Sequence, residues 1–96
     1  MKYYFIASIK INDQDKYREY QRQAREIAKL FKGTYITIDD QPDVLEGTWG
    51  YSKIVIIEFP SKEEHDRWYH SPEYQSIVNL RLEATLSDSI IARGFC

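Results

Sequence analysis

The side chains in this chain that could carry chemistry are few and scattered. Glu46 sits between Leu45 and Gly47 in a glycine-flanked stretch, and Arg81 falls beside an apolar helical stripe. A half-buried guanidinium needs an anionic partner, and a carboxylate meets its planar fork in the strongest form. Two readings follow for this pair. One is an anion clamp or a positioned acid beside a substrate. The plainer one, favoured here, is an internal ion pair that fixes the Leu45–Gly50 bend.

His65 is the other candidate, because an unperturbed imidazole titrates near neutrality and can serve as a general base. No serine or cysteine nucleophile with an orienting acid accompanies it, so a structural histidine is the plainer expectation. His70 lies five residues on, an awkward separation for shared metal ligation. Glu63, Glu64 and Asp66 read as charges at a helix N-terminus and not as a metal cluster. A set of aromatic and polar residues (Trp49, Trp68, Ser71, Tyr74 and Arg81, with Tyr35 and Tyr69 near them in pattern) could line an apolar pocket for a small aromatic or carbonyl-bearing molecule. Aromatic side chains are equally the ordinary filling of a small core.

Other chemistries find no support. The sequence contains no phosphate loop, dinucleotide fingerprint, CxxC or HExxH, so neither a cofactor nor a metal is expected. Arg18, Arg22, Arg25, Lys29 and Lys32 form a basic stripe, but Glu19 and Glu26 interrupt it and the formal net charge is −2. A solvated helix face is expected there, with neither nucleic acid nor membrane as partner. The N-terminus shows no spanning segment or signal-peptide pattern. The single cysteine, Cys96, cannot form an internal disulfide, and a reducing, cytoplasmic setting is the default expectation, with an intermolecular bridge the less favoured alternative.

The elements that must position these residues are legible from periodicity. Ninety-six residues, 43% hydrophobic and 15% aromatic, suit one folded domain. Tyr3–Ile11 alternates as a strand. Tyr17, Tyr20, Ala24, Ile27, Ala28 and Phe31 trace one helical stripe from about Asp13 to Lys32, with Asn12 or Asp13 as cap and Gly33 as a left-handed terminator. Thr34–Ile38 reads as a second strand. Tyr51–Phe59, with consecutive Ile54–Ile57, reads as a central third. Ser61 and Glu64 form a capping box. Ser71-Pro72 marks a second helix start, followed by a stripe of Tyr74, Ile77, Val78 and Arg81. Ser87-Asp88 breaks that helix, and Ser89–Phe95 reads as a last strand. The order β-α-β-β-α-β is the ferredoxin-like α+β arrangement: an antiparallel sheet with helices on one face and the second helix interrupted near Ser71.

One feature of the strands points beyond a single chain. The first and third carry large apolar groups on both faces, Tyr4 and Ile6 opposite Tyr3 and Phe5, and Ile54 and Ile56 opposite Val55 and Ile57. Helices cover only one of those faces. Face-to-face packing of two sheets in a homodimer would resolve the conflict.

At Leu45-Glu46-Gly47, Phe59-Pro60-Ser61, Trp68-Tyr69 and Ser71-Pro72-Glu73-Tyr74-Gln75 the chain resembles the bacterial family of unknown function DUF1330. The aromatic first strand, the Tyr17/Tyr20 pair, Gly33, Arg81 and Gly94 extend the resemblance over nearly the whole chain. It implies a dimeric α/β barrel made of two ferredoxin-like sheets, and no particular reaction. The wider superfamily holds cofactor-free monooxygenases, isomerases and stress-induced barrels. His65 and Asp66 depart from the small apolar residues usual before the tryptophan. Three functional expectations follow: a homodimer binding a small hydrophobic or aromatic molecule between sheet and helices; a cofactor-independent enzyme using His65, Glu46 or a tyrosine; or an assembly module without a ligand.

Overall fold

A computed structural model describes residues 1–95, and Cys96, with the question of an intermolecular disulfide, lies outside them. The elements are β1 (Tyr3–Ile11), α1 (Gln14–Leu30), β2 (Thr34–Asp39), β3 (Lys53–Phe59), α2 (Lys62–Tyr69), α3 (Pro72–Ala84) and β4 (Thr85–Arg93). The sheet order is β2-β3-β1-β4, and every neighbouring pair is antiparallel.

Strand alternation divides the sheet into two faces. Phe5, Ala7 and Ile9 on β1 and Lys53, Val55, Ile57 and Phe59 on β3 are buried. Onto that face α1 brings Tyr17, Tyr20, Ala24 and Ala28, α2 brings His65 and Trp68, and α3 brings Tyr74, Ile77, Val78, Arg81 and Ala84. The opposite face is open. There Ile6 pairs with Ile56 on one side and Ile90 on the other, an apolar row across three strands. Ile90 is 61% exposed and Leu86 64%.

Each helix starts where a short polar side chain satisfies a free amide. Asp13 accepts from the Lys16 N–H at 3.1 Å, Ser61 from Glu64 at 3.2 Å and Ser71 from Tyr74 at 3.0 Å. Ser71 and Pro72 together split the second helical segment: His70 caps α2, and Pro72, which has no N–H to lose, begins α3.

Four details differ from the sequence reading. The left-handed residue after α1 is Lys32 (φ 63°), one position before the expected Gly33. Glycine is required at 33 for space: a Cβ there would stand 2.9 Å from Phe59 Cε1 and 3.1 Å from the Ala28 carbonyl oxygen. The last strand begins at Thr85, not Ser89, because pairing with β1 runs continuously from Ile11↔Thr85 to Tyr3↔Arg93 and overrides the polar Ser87-Asp88 break. β3 begins at Lys53, not Tyr51. The strand irregularity lies in β2, between Tyr35 and Thr37, whereas Gly47 (φ 80°) serves a bend in the β2–β3 connection.

Gly33→Ala should destabilise the protein by about 1–3 kcal/mol, since the added methyl must displace the fully buried Phe59 ring. Denaturant unfolding measures this, and an unchanged midpoint would show that the close approach carries no constraint.

Candidate functional site

The residues singled out in the sequence fall in three places. The first is the packed heart of the helix layer. Trp68 and Tyr74 are fully buried, with ring centroids 4.3 Å apart. The Ser71 hydroxyl, besides capping α3, donates to the Trp68 carbonyl at 2.7 Å, so the α2–α3 junction holds both rings in place. The Tyr74 hydroxyl shares a 2.7 Å hydrogen bond with that of Tyr20. The Arg81 guanidinium, 2% exposed, lies 5.9 Å over the Tyr20 ring and donates from Nη1 to the Ser87 hydroxyl at 2.9 Å.

The expected Glu46–Arg81 ion pair does not form. Glu46 is exposed in the β2–β3 connection, whereas Arg81 is enclosed between α3 and the sheet. Among the described residues no carboxylate pairs with Arg81, and its Nε has no partner. Tyrosine hydroxyls and Ser87 surround the charge in place of an acid. Burial pushes the Tyr20 and Tyr74 hydroxyls above their ordinary range, against the pull of Arg81. Burial likewise raises Tyr17 to about 12.

The second place is a surface groove of about 400 Å³, lined by Val44, Leu45, Glu46, Thr48, Trp49 and Ile54 among others. The Trp49 ring packs edge-on against Tyr51 at 5.1 Å, and the Tyr51 hydroxyl donates to Asp88 on β4. This contact folds the long connection over one end of the open sheet face.

The third place is a cleft of about 220 Å³ between α2 and β4, lined by Phe5, His65, Tyr69, Ser89, Ile90 and Ile91. His65 is buried among aromatic rings: Phe59 and Trp68 at 5.4 and 5.7 Å, Tyr69 stacked at 6.0 Å. Its Nδ1 lies 2.9 Å from Asp66 Oδ1. Asp66 also accepts from Lys62 at 2.7 Å; that bond first, and the one to His65 next, hold its carboxyl below the usual range. Because a carboxylate only accepts, Nδ1 is the donor in this bond and Nε2 is left as the acceptor of the ring.

The sequence candidates therefore do not share one pocket. Trp68, Ser71, Tyr74 and Arg81 are together and packed, Trp49 and Glu46 are together in the outer groove, and His65 lines the α2–β4 cleft. Trp68, Ser71, Tyr74 and Arg81 line neither the outer groove nor the α2–β4 cleft. The sequence reading passed over Lys53, which is 5% exposed. The signal was present: Lys53 shares strand parity with Val55, Ile57 and Phe59, which places it on the helix-covered face. Among the described residues no group of His, Cys, Asp and Glu is arranged to hold a metal ion, and no helix is long and apolar enough to cross a membrane.

Fold and clefts together define a ferredoxin-like α+β domain with an oriented imidazole in an apolar recess. The chain belongs to the family described as domain of unknown function DUF1330, whose model matches residues 2–95. A search of curated proteins found no match. Among solved structures it is similar to RPA0582, a protein of unknown function from Rhodopseudomonas palustris, at 16% identity and TM-score 0.82, covering 99% of this chain and 83% of that one. A dimeric ferredoxin-like protein of unknown function from a Jannaschia species gives 12% identity and TM-score 0.83, covering 98% and 100%. SnoaB, a cofactor-independent oxygenase from Streptomyces nogalater, gives 7% identity and TM-score 0.72, covering 97% and 92%.

The tyrosine cluster sets an alkaline limit to stability. The folded state holds the Tyr17 proton up to about 12, above the roughly 10 of an unfolded chain. Its contribution is therefore intact below pH 10 and lost as pH rises from 10 toward 12. Tyrosinate absorbance should show a delayed class of tyrosines that ionises together with unfolding. Ionisation of all eight tyrosines near pH 10, with the fold retained, would contradict this.

Proposed function

We propose that this protein is a homodimer that binds a small, single-ring apolar or aromatic molecule in the cleft between α2 and β4. The observation that carries the reading is the His65 imidazole: buried, oriented by Asp66, and set in the wall of an otherwise apolar recess. A recess of about 220 Å³ suits one ring, since an apolar cavity of roughly 150 Å³ is enough for benzene. Phe5 and Ile91 offer apolar contact, and His65 Nε2 and the Ser89 hydroxyl offer polar atoms to orient a hydroxyl or carbonyl group.

The dimer rests on the open sheet face. The Ile56–Ile6–Ile90 row has no cover within the chain, and a structurally similar protein is described as dimeric. A second copy seated face to face would bury this row against itself.

A specific observation also supports proton-transfer chemistry by a cofactor-independent enzyme. A base hydrogen-bonded to an orienting carboxylate and facing a cavity is the arrangement such catalysis needs, and one structural relative is a cofactor-independent oxygenase. In that reading His65 is the base, and Glu46, in the separate outer groove, is not.

Two experiments test these readings. In sedimentation velocity the wild type should run as a dimer. Ile56→Glu, which places a charge at the centre of the open face, should weaken association by roughly a hundredfold or more while the circular dichroism spectrum is kept. A wild-type monomer would end the dimer reading.

Native mass spectrometry of gently isolated protein should reveal a small adduct, and phenol titrated by NMR should saturate. Ile91→Trp, which fills the recess, should abolish phenol binding. Unchanged phenol binding by that variant would remove the cleft from consideration. If the adduct is turned over, His65→Ala should stop turnover without unfolding the protein.

A further inference from the structure

At the other end of β1, about 20 Å from the His65 cleft along the strand, lies a second cavity of different character. It has a volume of about 420 Å³ and is lined by Ile11, Gln14, Tyr17, Arg18, Gln21, Asp40, Ser52 and Lys53. Its wall is mostly polar, and its deepest charged group is Lys53.

Lys53 is unusual on physical grounds. It is 5% exposed, on a strand face otherwise occupied by Val55, Ile57 and Phe59. Its ammonium group stands 5.0 Å from the Tyr17 ring centroid and 3.2 Å from Asp40 Oδ1. Asp40 is a poor match for that depth: its side chain is 76% exposed, and it stands at the start of the irregular β2–β3 connection. A carboxylate so placed is screened by water and recovers little of the cost of burying its partner.

The second buried cation, Arg81, lies outside the recess wall, over the ring of Tyr20 on the same helix as Tyr17. Arg81 has no carboxylate partner among the described residues, and its charge acts on the Tyr17 hydroxyl. Arg18 adds a third positive group at the rim, already paired to Asp15. The recess thus contains one buried positive charge, Lys53, beside the Tyr17 ring, and a single, loosely held acid. What it lacks is an anion at the depth of Lys53.

We propose that this recess is a binding site for a small organic carboxylate, whose carboxylate group takes the Lys53 ammonium and displaces Asp40 to solvent. Ile11 and the Tyr17 ring provide surface for the carbon frame, and the Gln14 and Gln21 amides stand within the recess to donate to the second carboxylate oxygen. Asp40 then acts as an internal stand-in, occupying Lys53 when the ligand is absent. Phosphate shares the anionic chemistry, but the apolar surface at Ile11 and Tyr17 favours a carbon-bearing ligand.

Calorimetric titration of the full chain with sodium benzoate tests the site, with benzamide as a neutral isostere and inorganic phosphate as the other anion. Benzoate should bind saturably, and benzamide at least tenfold more weakly. Lys53→Met should reduce benzoate affinity by roughly tenfold or more, the scale of a lost charge-assisted hydrogen bond. Asp40→Asn, at an exposed position just after β2, should tighten benzoate by about two- to fivefold by removing the competitor. That variant keeps the test decisive if Lys53→Met fails to fold. Absence of benzoate binding, equal binding of benzoate and benzamide, or an Asp40→Asn variant that binds no tighter would overturn the proposal. Phosphate binding without benzoate binding would overturn the carboxylate assignment. Ile91→Trp leaves this recess untouched, so its effect on phenol and the effect of Lys53→Met on benzoate report on separate sites.

Discussion

The position of β1 between β3 and β4 is the constraint on which the rest depends. Antiparallel pairing on both edges ties Tyr3–Ile11 into the centre of the sheet and fixes the parity of every neighbour. Odd-numbered residues from Phe5 to Ile9 then meet the helices, and even-numbered ones are left on the open face. The same pairing explains why β4 starts immediately after α3. Ala84 ends the helix with its carbonyl accepting from the Asn12 and Asp13 amides, and Thr85 enters the ladder opposite Ile11. One strand therefore sets the core, the open face, and the two ends at which clefts form.

The helix layer adds rigidity where two of its parts meet. Ser71 caps α3 and binds back to the Trp68 carbonyl, so a single hydroxyl links the end of α2 to the start of α3. This junction keeps Trp68 and Tyr74 in contact and projects Arg81, further along α3, into the tyrosines of α1. A guanidinium solvated by hydroxyl groups and an aromatic face, without an acid, retains its charge in the interior. That charge is part of the electrostatic environment of the neighbouring Lys53 recess.

The two recesses differ in a way that follows from the sheet. Toward the N-terminal end of β1 the lining is aromatic and aliphatic, and its one ionisable pair, His65 and Asp66, comes from α2. Toward the C-terminal end the strand faces α1, whose first turns carry glutamines and an arginine, and β3 begins there with Lys53. An apolar, single-ring ligand and a carboxylate would thus be sorted to opposite ends of one small layer. The long β2–β3 connection touches the second of these through Asp40, and through Tyr51 it also bears on Asp88 of the open face.

Local pattern determined most of the architecture. Period-two and helical stripes, the caps at Asp13, Ser61 and Ser71, and the Pro72 restart are short-range effects, written in neighbouring residues, and the elements formed where those signals stood. The two-faced apolar strands likewise announced Ile6 and Ile56 on the open face, a row that Ile90 extends only through its pairing with β1. Tertiary structure decided what local signals cannot encode. Gly33 is needed because Phe59 arrives from a distant strand, and the left-handed turn moved to Lys32. Thr85–Asp88 became strand because β1 offered partners. Glu46 and Arg81 went to different layers, since charge complementarity in a sequence carries no information about which side of a sheet each residue will reach. Lys53 was legible by parity alone, but its meaning required Asp40 and Tyr17, brought to it by the fold from the β2–β3 connection and from α1.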